Sequence, residues 1–523
     1  MRLFAAIALL VIAVSAEAKT LRYASQFDPG TMDPHALSSV YNNRVLAQVY
    51  EPLVGRDEYF KTEPRLALSW TPLPNGAGWR FKLRPNVKFH DGSPFNADDV
   101  VFNVTRALHP LSAHKTTLPN VTGAKKVDDL TVDVLTSQPT PVLPLAMSNL
   151  RLMSKAWAVK NHCEKPQDYN AKEEMFSTRN ANGTGPYVLV AREQDVRTQL
   201  RRNEDYWGKG EFPLGVSEIT YLTIKSDATR IAALLSGEVD FVQDVPVQDI
   251  DRLEKTPGIK VNFGPENRTI FLGLDVASPE LKSSNIKGKN PFADKQVRQA
   301  LNMAIDREAI KRVVMRGQSI PAGVIAPPFV NGYPKELDRL PKVDLAQAKA
   351  LLQQAGFADG FQVTLNCPND RYVNDEGICQ AVTAMLAKIG VKVNLVAQPK
   401  GPHFTLIQKN PPETEFYLLG WGVPTYDSHY IFSFLYHTRS GREGGWNGTR
   451  YSNSALDSKI ENLAAEIDVV KRNAAIADIW KALSEETIYL ALHHQQLAYA
   501  MKSELDIPVS PDNQVHMKFI AAK

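Results

Sequence analysis

Residues able to do covalent or metal chemistry are sparse in this chain, and their spacing suits neither. His429 and His437 stand eight positions apart, offering two imidazoles without a convincing third donor, and no CxxC or HxxxH pair accompanies them. GxSxG and HExxH are absent, and no Ser-x-x-Lys stands in a context that would make a nucleophile. What remains is the chemistry of recognition. Leu418 to Tyr430 reads LLGWGVPTYDSHY, a stretch too irregular for an amphipathic element and too aromatic to leave in water. Trp421 between two glycines can present a flat apolar face, and Gly422 lets a ligand approach the backbone. No catalytic residue, metal site or cofactor is expected.

Alternating strand and helix signals surround this loop. Trp79, Phe81 and Leu83 alternate with Arg80 and Lys82, which predicts a half-buried strand. Asn96 followed by Asp98 and Asp99 predicts a capped helix through Val101, Val104 and Leu108. Leu130, Val132 and Val134 predict another strand. Asp294 and Asp344 cap later helices, the second ending at Gly356. Val363 to Leu365 and Val391 to Leu395 read as strands flanking a helix over 381–389, and helices follow Ser454 and Asp457. Mixed strands and helices with short loops define an α/β protein.

The chain has 523 residues and a formal net charge of +3, enough for about three domain-sized units. Basic residues are scattered among acids, so no nucleic-acid partner is expected. Arg2, the apolar run Leu3 to Val14 and Ala16-Glu17-Ala18 form a cleavable signal peptide. The run falls short of the ~20 residues needed to span a bilayer, so the mature protein is expected to be exported and soluble. Three cysteines leave room for one disulfide and an odd thiol. Cys367 and Cys379, bracketing the turn-rich stretch CPNDRYVNDEGIC, are the expected pair, although the sequence alone leaves that bridge open; Cys163 is the expected leftover.

Short motifs recur in a fixed order: DPH at Asp33, VYEPLV from Val49, FHDG from Phe89, ADDVVF from Ala97, GTGPY from Gly183, RNEDYWG from Arg202, GEVD from Gly237 and VRQAL from Val297. Their sequence resembles the large periplasmic solute-binding proteins of peptide, oligopeptide and nickel ABC importers, solute-binding protein family 5. Glycines of the GTGPY turn are read as supplying positive φ, and Tyr206-Trp207 as packing.

That resemblance implies a three-lobed periplasmic binding protein fold, type II-like of cluster C, with a ligand cleft between two large lobes. Lobe I would comprise residues 19–54, 183–267 and 489–523, lobe II 55–182 and lobe III 268–488, with hinges near Glu266–Asn267 and Tyr489–Leu490. It implies a monomer that captures a small-molecule or peptide-like solute and hands it to the transmembrane permease. Ligand contacts are expected at Trp421, Gly422, Tyr426 and Asp427, at Arg151, and at Tyr41, Asn42 and Tyr23. Arg151, in Leu-Arg-Leu, matches an arginine that holds chelator carboxylates in the nickel-binding branch. Peptide-binding relatives carry an aspartate three residues after the tryptophan, where this chain has Pro424. Alternatives are a nickel-chelate or other metallophore binder and, from other classes, a periplasmic peptide chaperone or a secreted hydrolase.

Overall fold

Two long strands, Ile259–Leu274 and Tyr489–Lys502, run antiparallel through the middle of an eleven-stranded sheet. The computed structural model describes residues 19–521 apart from 58–60, 116, 119 and 442; the expected signal peptide lies outside the described residues. On one side the sheet continues through Phe416–Trp421, Phe361–Pro368 and Val391–Gln398. On the other side lie Phe241–Val242, Thr20–Ser25, Glu218–Thr223, Arg197–Arg202 and Tyr187–Glu193, and the eleventh strand, Ser319–Pro321, pairs with Tyr489–Lys502 off this order. A separate antiparallel sheet of four strands holds Ala67–Pro72, Gly78–Leu83, Thr131–Thr136 and Val121–Asp128 in that order. No helix among the described residues is long and apolar enough to cross a membrane.

Apolar interiors gather separately around these sheets. Phe81, Val100, Val104 and Val132 fill a core under the four-stranded sheet. Tyr23, Leu46, Phe241 and Tyr499 fill one at one end of the large sheet, while Ile270, Leu301, Leu365 and Leu418 fill another at its other end. Along Ile259–Leu274 the change of core falls near Glu266–Asn267, where pairing is irregular between Pro265 and Thr269. Along Tyr489–Lys502, Tyr489 to Leu492 pack with the Leu418 side, while Tyr499 and Met501 pack with Tyr23.

The sequence motifs knit these cores together through buried polar groups. Glu51 accepts from Tyr206 Oη at 2.7 Å, Trp207 Nε1 at 2.6 Å and Thr184 Oγ1 at 3.0 Å, so three distant motifs share one carboxylate. Asp33 forms a fully buried pair with Arg106 and also accepts from the His35 and Gln167 amides. Burial alone would raise the Asp33 carboxyl, but Arg106 and these donors outweigh it and hold its pKa at about 2. Gly183 and Gly185 are required for closeness rather than positive φ. A Cβ on Gly183 would stand 2.1 Å from the Val49 carbonyl oxygen, and one on Gly185 2.6 Å from that of Gln48. Helix Ala97–Ala107 begins with Asn96 and Asp99 capping each other's backbone amides.

Candidate functional site

Strand Phe416–Trp421 is buried at all six positions, its side chains alternating between two cores. It ends by delivering Trp421 opposite Thr269 on the central strand. Gly422 then crosses that strand closely: a Cβ there would lie 2.9 Å from the Asn267 carbonyl oxygen. The Asn267 amide donates to the Val423 carbonyl at 3.0 Å and accepts from its N–H at 3.3 Å, locking the loop onto the sheet. Asn149 Nδ2 donates to the Pro424 carbonyl at 3.1 Å. Tyr426 adopts a left-handed φ of 51°, and the Arg56 guanidinium lies 3.7 Å from its ring centroid. The aromatic loop therefore joins three parts of the molecule that are remote in sequence.

Trp421 itself is only 6% exposed. It stacks on Tyr430 with ring centroids 5.7 Å apart and meets Trp446 edge-on at 5.6 Å. Its indole Nε1 has no hydrogen-bond partner among the described residues. Tyr426 and Arg151 line one cavity of about 700 Å³, counted to include its solvent-open part. The Arg151 guanidinium reaches Asn43 Oδ1 at 3.1 Å and Gln514 Oε1 at 2.7 Å, both neutral. Burial lowers its pKa to about 10, against Asp512 and Tyr426, which raise it.

Three expected contact residues are committed elsewhere. Asp427 caps the helical turn at His429, accepts from Asn331 Nδ2 at 2.9 Å and pairs with Arg472 at 2.6 Å, 1% exposed. Turn formation and a buried ion pair use up its acceptors. Asn42, in the first turn of helix Val40–Val49, accepts from the Thr31 amide at 3.2 Å and donates to the Leu37 carbonyl at 3.3 Å. Tyr23 lies in the core between Tyr221 and Phe241, its hydroxyl donated to Gln243. Such burial follows from the first strand being central in the sheet, which a single strand's pattern does not reveal.

Tyr41 is half-buried against Phe27, ring centroids 4.4 Å apart. Burial, then Asp244, pushes its pKa up to about 12, while the charges of Arg44 and Arg371 oppose the rise. Arg371 is a residue that sequence reasoning missed. It is half-buried, and no hydrogen bond or ion pair holds its guanidinium among the described residues; the group lies 5.1 Å from the Tyr372 ring centroid. Arg268 lies 5.6 Å from the same ring, balanced by Glu266 at 3.1 Å. Repulsion from Arg268, then burial, lowers the Arg371 pKa. Its backbone is well fixed: the Arg371 and Tyr372 amides donate to Asp375 Oδ2 at 3.0 and 2.9 Å, and Tyr372 Oη donates to the Gly420 carbonyl at 3.1 Å. A Cβ on Gly420 would stand 2.6 Å from the Tyr372 ring, which ties this segment to the aromatic loop's strand. Cys367 and Cys379 are bonded and close the segment, while Cys163 is free and buried. The available signal was compositional: Arg371 is the one cation between those cysteines.

His437 faces Asp457 and Glu461, and His494 contacts Thr269 and Asp338. No group of three or more His, Cys, Asp or Glu side chains suited to a metal occurs among the described residues.

Known proteins similar to this chain are solute-binding proteins. Glutathione-binding protein GsiB of Pectobacterium atrosepticum is 26% identical over 480 residues, 91% of this chain and 88% of that protein. Periplasmic binding protein DppA of Helicobacter pylori, solved with the peptide STSA, superposes with a TM-score of 0.73 at 23% identity, covering 96% of this chain and 98% of that one. CtaP of Listeria monocytogenes, an ABC transporter substrate-binding protein, gives a TM-score of 0.82 at 21% identity, covering 97% and 100%. The family model described as bacterial extracellular solute-binding proteins, family 5 Middle, matches residues 61–443. With most of its length matched by that model, this chain belongs to the family 5 bacterial extracellular solute-binding proteins.

Proposed function

We propose that this solute-binding protein works in the periplasm as the capture component of an ABC importer, taking a small peptide-like solute by a free carboxylate. The carrying observation is Arg371, a half-buried cation whose guanidinium makes no hydrogen bond or ion pair among the described residues and lies against the Tyr372 ring, with Arg268 against the same ring. A guanidinium in that state favours a bidentate carboxylate, whose charge offsets both burial and the neighbouring cation. The aromatic loop supplies the apolar wall, and Asp427 gives the solute's amine no anchor because Arg472 and Asn331 occupy it. Lobes closing about the two central strands would trap the solute, its differential affinity for the closed state shifting the equilibrium that the permease reads. No bond chemistry is required.

Relatives bearing the name glutathione-binding protein make glutathione the first solute to try, with dipeptides and tripeptides beside it. Calorimetry on ligand-stripped protein should compare each bound solute with its C-terminal amide. A hydrogen bond to a charged group contributes ~1.5–3 kcal/mol, so amidation should weaken binding about 10–100-fold. Arg371→Met should impose the same loss on the acid and leave the amide unchanged. Equal affinity of acid and amide for wild-type protein would sink the assignment.

A further inference from the structure

The two central strands lose their regular pairing where a single residue of one faces three of the other. Pro265 stands opposite Gln496 and Thr269 opposite His494, so Glu266, Asn267 and Arg268 together face Gln495. A bulge of this kind interrupts the ladder, and its residues can change backbone angles without breaking inter-strand bonds. Gln495 keeps its own place because Ser319 pairs with it from the other edge. The cores change over the same stretch, Leu492 packing with the Leu418 side and Tyr499 with Tyr23.

Side chains take over where the ladder is interrupted. Gln495 Nε2 donates to Glu266 Oε2, and Gln495 Oε1 accepts from the Val373 N–H at 3.3 Å. Glu266 also pairs with Arg268 at 3.1 Å, and Arg268 lies against the Tyr372 ring. One residue further on, the Asn267 backbone N–H donates to the Pro511 carbonyl at 2.7 Å, while its side chain holds Val423. Adjacent residues therefore carry the two segments proposed to hold the solute. Glu266, through Gln495, carries the one bearing Arg371, and Asn267 carries the aromatic loop. Glu266 and Gln495 are both buried, so water does not replace a hydrogen bond lost between them.

We infer that Glu266 and Gln495 form a positioning pair that couples solute capture to rotation of the lobes. The bulge is the pivot, and the Gln495 side chain makes the Arg371 segment turn with it. A carboxylate on Arg371 would offset its repulsion with Arg268, and the ion pair passes that change to Glu266. The inference rests on the solute-capture reading above and goes beyond it in naming the residues that transmit capture to closure.

X-ray scattering from ligand-stripped protein, alone and with saturating glutathione, dialanine or trialanine, reads closure as a fall in radius of gyration. Calorimetry on the same samples reads affinity. Wild-type protein should compact with at least one of the three. Gln495→Leu should bind that solute about tenfold more weakly, the loss expected for one hydrogen bond to a charged group. Its compaction should fall to about half or less, because bound solute no longer selects the closed state as strongly. Exchanging the pair, Glu266→Gln with Gln495→Glu, again sets a donor against a carboxylate and keeps an acceptor for Val373, so it should restore wild-type compaction. Gln495→Glu alone brings two carboxylates together and should not. Full compaction in a folded Gln495→Leu protein overturns the inference, and so does failure of the exchanged pair to restore it, folded or not. Absence of compaction of wild-type protein by all three solutes overturns it too. Acid and amide binding equally would sink the Arg371 reading alone, since compaction that depends on Gln495 would still uphold the pair.

Discussion

Asp427 sits six positions after Trp421 in the same aromatic loop, yet its carboxylate spends its contacts inside the protein. Arg472, Asn331 and the His429 amide all converge on it. Removing one member of a buried ion pair leaves the other charge uncompensated and typically costs 3–5 kcal/mol. Asp427→Ala should therefore lower stability by roughly that amount while leaving solute affinity within about twofold. Urea unfolding and calorimetry on the same preparation test both halves, and a large affinity loss at unchanged stability would return Asp427 to the binding site. Trp421 combines the two roles, since its ring is packed while its Nε1 lacks an acceptor. Its type and flanking glycines were legible in the sequence; of the rings covering its faces, Tyr430 and Phe434 stand one helical turn apart, whereas Trp446 comes from a separate loop.

Between Phe361–Pro368 and the helix Asp375–Ala387 runs the short segment bearing Arg371. Cys367 lies next to the strand's last residue and Cys379 lies on the helix, so the bridge closes a small loop around the proposed contact. Closing a loop of this size stabilises by ~3 kcal/mol in the chain-entropy picture. Cys367→Ser with Cys379→Ser should lower stability by about 2–4 kcal/mol and weaken carboxylate solutes more than their amides. Thermal melts and the acid–amide comparison test this. Equal weakening of acid and amide would mean that the bridge supports the fold without positioning Arg371. Capping signals at this scale were read correctly: Asn96, Asp294 and Asp344 all accept first-turn amides. Those signals are local, and backbone amides at a helix start need an acceptor whatever the tertiary context.

Buried histidines govern how the whole molecule should respond to pH. Burial lowers the pKa of His90, His114 and His403 to about 4 and that of His493 to about 3. Unfolded histidine titrates near ~6.5, so below that pH the unfolded chain binds protons the folded chain refuses. Stability is then fully present above pH ~6.5 and falls as pH drops through the folded values. Asp33 extends the loss further, since its pKa of about 2 lies below the unfolded value of ~3.9. Melting temperature should be level from pH 8 to about 6.5 and fall steadily toward pH 4. A constant melting temperature between pH 7 and 4.5, by scanning fluorimetry, would show that these rings are not buried as described.

The sequence by itself determined the α/β class, the capped helices and the order of family motifs. Each of these is a local pattern or a set of residue types, and local backbone chemistry acts within a few residues. Tertiary structure decided which polar groups were already satisfied. Asp427, Asn42 and Tyr23 turned out to be engaged within the protein, whereas the Arg371 guanidinium makes no hydrogen bond or ion pair among the described residues. Satisfaction of a charge depends on the acceptors that distant segments bring within about 3 Å, and Arg472 reaches Asp427 from 45 positions away. The glycines of GTGPY make the same point: their type was readable, but the requirement was the nearness of the Val49 carbonyl oxygen, set by how a helix docks against a turn over a hundred residues later.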